Sequence, residues 1–384
     1  MKPNLYLIVF TVLALVISFG CSPQVSTPTS SPPTASPIPF TATSSPTETS
    51  TPNPSPTPML NPIAMGYHGM AYDIESDRIV LVAGIDNYCN NPKITTSIFD
   101  LATKSWVLLE TTSSLPKGEG PMAYDTQSDR IIKFVGLRTS CTDFNGIGET
   151  WAYDSNTDTW ENMHPSESPF GIMGSRMIYD SESDRMILFG GADAKTFLSV
   201  FDTWAYDYES NSWKNLQPAN PPAWENFHAM SYDVAADRVI VWSGAAIGTE
   251  NEIGIYDYNT NTWEVRETEL HPNRYFFNAM VYDPGTGLNI LFGGVNRGWA
   301  PGNETWGYDY ASNSWKNLLA KNPPSARGWH SMAYDTMAGV MILFGGGTSN
   351  GGSFGRVTTR YEFTDETWVY DPIKNEWSNI ILSP

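Results

Sequence analysis

Residues 179–213 read YDSESDRMILFGGADAKTFLSVFDTWAYDYESNSW. Tyr179-Asp180 leads into a short polar turn that closes with Asp184-Arg185. An apolar run, Met186-Ile187-Leu188-Phe189, then climbs into Gly190-Gly191. After a loop comes a second aromatic-Asp step, Thr203-Trp204-Ala205-Tyr206-Asp207, and a turn ending at Trp213. Short runs rich in Ile, Phe, Tyr and Trp, bounded by Asp, Asn, Ser and Gly, read as β-strands. The opening pair recurs at Tyr72-Asp73, Tyr124-Asp125, Tyr232-Asp233, Tyr282-Asp283 and Tyr334-Asp335, with successive spacings of 52, 55, 53, 50 and 52 residues. A fixed period near fifty residues marks an array of like units.

The other columns repeat in register. The glycine ending the second strand is filled in all six units, by Gly84, Gly136, Gly191, Gly244, Gly294 and Gly346. The closing tryptophan is Trp106, Trp160, Trp213, Trp263, Trp315 or Trp377. Each unit therefore offers four strands, a to d. One such sheet is too small to bury both faces, whereas six arranged radially cover one another. The fold expected for residues 61–384 is all-β, a six-bladed β-propeller of four-stranded antiparallel blades. The tryptophans and glycines read as blade-to-blade packing, because a large ring needs a flat partner and glycine lets backbones approach.

The chain resembles the Kelch-repeat family, including the central domain of galactose-oxidase-like proteins. The resemblance is carried by Gly190-Gly191, Gly293-Gly294 and Gly345-Gly346, by Tyr153-Asp154, Tyr206-Asp207, Tyr256-Asp257 and Tyr308-Asp309, and by the tryptophan six residues after each of those aspartates. It spans roughly residues 63–384. Blades 1, 2 and 4 depart from it with Ala83-Gly84, Val135-Gly136 and Ser243-Gly244, blades 1 and 4 have Ser97 and Gly254 for the strand-c tryptophan, and blades 5 and 6 use Gly285, Gly287 and Gly339 where the turn arginine is absent. Exported six-bladed Kelch proteins of this kind include N-acetylneuraminate epimerases, sugar mutarotases that use charged residues around the central channel. The resemblance points to Arg274, Arg327 and Glu225 for such a role, but no full set transfers. No Tyr/His/Cys set matching the galactose-oxidase copper site is present, and neither a cofactor nor a metal is expected.

The N-terminus differs in kind. Lys2, an apolar run from Leu5 to Ile17, and Gly20-Cys21 resemble a bacterial lipoprotein signal. Residues 1–20 then form a signal peptide and Cys21 carries lipid; the alternatives are an ordinary signal peptide or an uncleaved anchor. Residues 21–60 follow as a linker, in which Pro, Ser and Thr supply 29 of the 39 positions from 22 to 60. At ~3.1 Å per residue its reach is about 100 Å. The expected location is the bacterial cell envelope, with the propeller outside the cytoplasm. Cys89 and Cys141 each fall five residues after the last glycine of strand b in adjacent blades, which permits a disulfide.

The formal charge of −19 argues against nucleic-acid partners. Much of it comes from aspartates ending strands a and c, where Asp caps a turn through its own backbone. The b–c and d–a loops vary and emerge on one face, where binding is expected. Trp224, Trp299 and Trp329 lie outside the repeat columns on that face, with Arg274, Tyr275, Arg297 and Arg327 close by in sequence. Aromatic rings with arginines suit a glycan or a protein ligand. The leading expectation is a monomeric, non-catalytic binding module; a sugar epimerase is the alternative, favoured if an acid/base pair converges on the channel mouth. His68, His228 and His330 share one column and read as frame. Ring closure has two solutions: contiguous blades meeting by packing, or a closing strand from residues 60–66.

Overall fold

In a computed structural model the structure describes residues 57–59, 62, 64–66, 68–82, 95–109, 115–116, 118–139, 144–196, 198–223, 227–242, 251–273, 276–296, 298, 300–349 and 361–380. These belong to a compact unit, Pro54–Pro384. Blade 3 shows the plan. Its strands Arg176–Asp180, Arg185–Phe189, Thr203–Asp207 and Ser212–Asn215 pair antiparallel in the order a-b-c-d. The other innermost strands are Gly69–Asp73, Met122–Asp125, Ala229–Asp233, Ala279–Asp283 and Ser331–Asp335. Each touches the next around a closed circle, so the fold is the expected six-bladed propeller.

Local chemistry fixes every a–b turn. The strand-a aspartate accepts backbone N–H groups two or three residues on, as Asp73 does from Glu75 and Ser76 at 3.0 and 3.2 Å. The last turn residue is left-handed, with φ of 52° at Asp77, 56° at Asp129, 54° at Asp184 and 56° at Asp237. Asp tolerates that conformation better than most residues. Its carboxylate also accepts the strand-a tyrosine hydroxyl, at 2.8–2.9 Å in these four blades. Blades 5 and 6 solve the same dihedral with Gly287 and Gly339, at φ 72° and 67°. The turn arginines reach across to the strand-c aspartates, Arg130 to Asp154 at 2.9 Å and Arg238 to Asp257 at 2.8 Å.

Between blades, the strand-d tryptophan is the wedge. Burying each indole contributes on the order of 4 kcal/mol. Its Nε1–H donates to a threonine hydroxyl on strand c of the preceding blade: Trp160 to Thr96, Trp213 to Thr150, Trp263 to Thr203 and Trp377 to Thr305, at 2.7–3.0 Å. Trp106 makes the same bond to Thr367 at 2.8 Å, across the junction of blades 1 and 6. The exception is Trp315, whose indole N–H is buried without a partner, because blade 4 carries Ile253 in the threonine column. The ring therefore closes by the contact that joins every other pair, aided by the Gly346 N–H donating to the Met65 carbonyl at 3.0 Å. A strand contributed by the N-terminal side exists, but it is Thr57–Met59 and pairs with Ser105–Leu109 of blade 1 itself. It widens blade 1 to five strands instead of bridging the ring.

The irregular glycine and histidine columns turn out to be complementary. A Cβ on Gly190, Gly293 or Gly345 would stand 3.0–3.1 Å from the Cε1 of His228, His330 or His68, each from the following blade. Those imidazoles pack on the strand-b phenylalanines Phe189, Phe292 and Phe344, with centroids 5.4 Å apart. The blades that lack the first glycine precede blades with Gly120, Ser175 or Asn278 in the histidine column. Histidine thus occurs where a glycine makes room for it. Burial lowers His68 and His228 to about 3, so both are neutral frame residues at physiological pH.

Two measurements test this account. Thr203→Val strands the Trp263 indole N–H and should cost about 1–3 kcal/mol in urea unfolding. Gly190→Ala, at φ +65°, should cost about 1–2 kcal/mol, and adding His228→Ser should recover the steric part but not the backbone strain.

Candidate functional site: the axial cavity on the d–a loop face

Because strand a is innermost, the residues just before it arrive at the axis. Five positions before the strand-a tyrosine stand Glu119, Gly174, Phe227, Phe277 and Trp329. Three of these are bulky and left-handed: φ is 60° at Phe227, 57° at Phe277 and 62° at Trp329. Such residues rarely hold that conformation, and strain of this kind concentrates at functional sites. Backbone hydrogen bonds between blades impose it. The Phe227 N–H donates to the Gly174 carbonyl, Phe277 to Phe227 and Trp329 to Phe277, at 3.0, 3.0 and 2.9 Å. The result is a collar that turns aromatic rings toward the axis.

Inside the collar lies a cavity of about 150 Å³, a volume that accommodates a single six-membered ring. Phe227, Phe277 and Trp329 form one wall, with Phe277 stacked on Trp329 at 4.5 Å and 27°. Glu119, Ser175 and Arg176 form the opposite wall, and Asn278, His330 and Ser331 complete the circuit. The floor is a ring of methionines in one register: Met70, Met122, Met177, Met230, Met280 and Met332.

The charged wall is a departure from the repeat. Lys133 takes a strand-b column held elsewhere by Leu81, Leu188, Val241, Leu291 and Leu343. Arg176 takes a column of small residues, among them Gly69, Ala229, Ala279 and Ser331. Lys133 is 1% exposed and donates from Nζ to the Gly120 carbonyl at 3.0 Å. Burial pushes the Glu119 carboxyl up to about 7; Arg176, Lys133 and the Gly174 N–H hold it from rising further. Burial likewise brings the Lys133 ammonium down to about 8, against the pull of Glu119. Arg176 is also lowered by burial and supported by Glu119. One carboxyl able to exchange a proton near neutrality thus sits between two cations, inside a protein of strongly negative charge.

Of the residues expected from sequence, Trp329 is in this wall. Arg327 is not: it is fully buried, and its guanidinium is already engaged. Nε donates to the Ser325 carbonyl, Nη1 to the Gly345 carbonyl and Thr364 Oγ1, and Nη2 to Ser325 Oγ and Glu366. It ties blade 5 to blade 6 and has no donor to spare for a ligand, which corrects its expected binding role. Trp224, Glu225, Arg274, Tyr275, Arg297 and Trp299 lie outside the described residues, as do Cys21, Cys89 and Cys141. Glu119, Lys133 and Arg176 were missed by the sequence reading. Their signal was available as three charges in otherwise aromatic, apolar and small columns of adjacent blades. Among the described residues no cluster of His, Cys, Asp and Glu suits a metal ion.

Residues 143–383, more than half of the chain, match the model of the attractin/LZTR1 β-propeller family. The chain belongs to this family of Kelch-type propellers. Residues 42–232 also match the KLHDC2/KLHL20/DRC7 Kelch-repeats domain. Among solved structures, that of YjhT is similar with a TM-score of 0.62 and 11% identity, over 83% of this chain and 98% of that one. At this identity the likeness speaks for the fold alone.

The Glu119 titration is directly checkable. A carboxyl-carbon NMR titration should show a midpoint near 7, and Arg176→Met should move it higher, because Arg176 favours the ionised form. A folded-state value above the ordinary 4.5 means the folded protein holds this proton more tightly than the unfolded chain. The corresponding stability is fully present below about 4.5 and is lost as pH rises through about 7. Glu119→Gln should remove that part of the pH dependence.

Proposed function

We propose that the axial cavity binds a small sugar acid and catalyses its mutarotation or epimerisation, with Glu119 as the proton-transfer group. The single observation behind this reading is the placement of a near-neutral carboxyl beside Arg176, opposite an aromatic wall, in a space sized for one ring. A pyranose has apolar C–H faces that pack on aromatic rings and a polar edge that needs hydrogen-bond partners. Arg176 suits the substrate carboxylate. In this reading Glu119 takes the proton from the anomeric hydroxyl while the ring C–O bond opens. It then delivers that proton to the ring oxygen, leaving the open-chain carbonyl form. Rotation and the reverse transfers close the ring on the other face, with no net change in protons. Lys133 is enclosed, so it acts through Glu119 by restraining its pKa. Export and lipid anchorage at Cys21 belong to the same proposal and rest on the N-terminal sequence alone.

Saturation-transfer NMR between the two anomers provides the test, with N-acetylneuraminate and a neutral aldose as substrates. Catalytic amounts of protein should accelerate exchange of the sugar acid far more than that of the neutral sugar. The rate should rise with pH through about 7 as Glu119 ionises. Glu119→Gln should cost about a hundredfold while leaving binding measurable. Exchange at the spontaneous rate with saturating protein would exclude the catalytic reading and leave a binding module.

A further inference from the structure

The methionine ring has a second side. On the a–b turn face, opposite the axial site, lies a cavity of about 410 Å³ whose inner end is the same six methionines. Its walls are the six strand-a tyrosines, Tyr72, Tyr124, Tyr179, Tyr232, Tyr282 and Tyr334, with Ala, Val and Ile side chains between them. Its rim carries Ile74, Thr126, Ser181, Val234, Pro284 and Thr336, of which Ile74 and Val234 are 38% and 43% exposed. Among the described residues no charged side chain lines it.

The electrostatics come from behind the walls. The hydroxyls of Tyr72, Tyr124, Tyr179 and Tyr232 are already committed to turn aspartates. The rings are therefore left as the interacting surface. Six strand-a aspartates, Asp73, Asp125, Asp180, Asp233, Asp283 and Asp335, are buried at the same level. None of them has a salt-bridge partner among the described residues. The turn arginines Arg130, Arg185 and Arg238 are engaged elsewhere, on strand-c aspartates and on Asp184 and Asp237. The mouth is thus uncharged and largely apolar at its surface and negative in its field. An anion is disfavoured. A small hydrated metal ion is disfavoured too, because no carboxylate lines the wall to replace its water. The fitting guest is a cation with an apolar skin, whose charge is attracted to aromatic ring faces and to carboxylates behind them.

We infer that this tyrosine-walled mouth is a binding site for an alkylated ammonium group, whether on a free solute or on a lipid headgroup. It is separate from the axial site and independent of the sugar-acid reading.

Titration calorimetry of the full chain with choline, and with its neutral carbon isostere 3,3-dimethyl-1-butanol, tests it. Choline should bind about tenfold or more tightly than the isostere. Val234→Lys, at a rim position 43% exposed, should weaken choline about tenfold by placing a cation in the mouth. Tyr232→Leu should weaken it as well, with the unfolding transition measured alongside. Glu119→Gln, on the other side of the methionine ring, should leave it unchanged. Flotation with phosphatidylcholine vesicles separates the two sources; capture of vesicles as well as choline assigns the headgroup, and choline alone assigns a free solute. Equal binding of choline and the isostere, no choline binding at millimolar concentration, or loss of binding in Glu119→Gln with Val234→Lys unaffected would each overturn the inference.

Discussion

Every blade of this protein has two apolar faces and only its neighbours to cover them. The tryptophan at the end of strand d makes that cover specific. Its ring is driven between blades by burial, and its one polar atom must find an acceptor there or remain a desolvated donor. A threonine on the preceding blade supplies the acceptor at five junctions, including the one where the chain's first and last blades meet. Closure therefore requires no strand exchanged between the ends. The junction of Trp106 with Thr367 is held by the same chemistry as the others, so the ring is as continuous there as anywhere else. The lone exception, Trp315 against Ile253, shows that packing tolerates one missing hydrogen bond when the remaining faces are covered.

Once the wedges fix six blades around an axis, the innermost strands have few choices. Side chains at the methionine register meet at the centre, and flexible thioethers fill an irregular hexagonal gap that branched residues would not. The residues just before strand a form the collar, and the aspartates just after it cap the turns. These two ends differ in what they can change. The turn aspartates are committed to backbone N–H groups and to tyrosine hydroxyls, so the lower mouth keeps its negative field. The collar is tied mainly through its backbone, so its side chains are free to differ from blade to blade. Gly174 and three aromatic residues stand in one run of backbone hydrogen bonds for that reason, with Glu119 at the equivalent position of blade 2.

The fold was legible in the sequence because its signals are additive. Six copies of Tyr-Asp, glycine and tryptophan reinforce each other, and a departure in one blade is outvoted. The site was hidden by the same property. Lys133 sits inside the run Ile131-Ile132-Lys133-Phe134-Val135 and reads as a strand with one odd residue. Arg176 reads as the polar start of strand a, and Glu119 as part of a loop. Only the closed ring brings blades 2 and 3 together so that the three meet. The rim tryptophans and arginines stand out in the sequence because they fall outside the columns. Arg327 shows the weakness of that criterion: a residue can leave the repeat pattern to brace two blades. The histidine column reads as frame from the repeat alone, but the facing glycine one blade earlier is visible only among three-dimensional neighbours.

A buried lysine and a half-buried arginine, in columns otherwise filled mostly by leucine and by small residues, carry a desolvation cost that apolar side chains would avoid. The frame does not need them, since the other blades close without such charges. Their effect is local: they keep Glu119 from drifting to a pKa at which it would be permanently protonated, while burial keeps it from being permanently ionised. Opposing shifts that meet near neutrality leave a carboxyl able both to take up and to release a proton. The same balance explains why the three charges are confined to one side of the axis. Spread evenly around the ring, they would leave no apolar wall; gathered on blades 2 and 3, they make a cavity with a charged edge facing an aromatic surface.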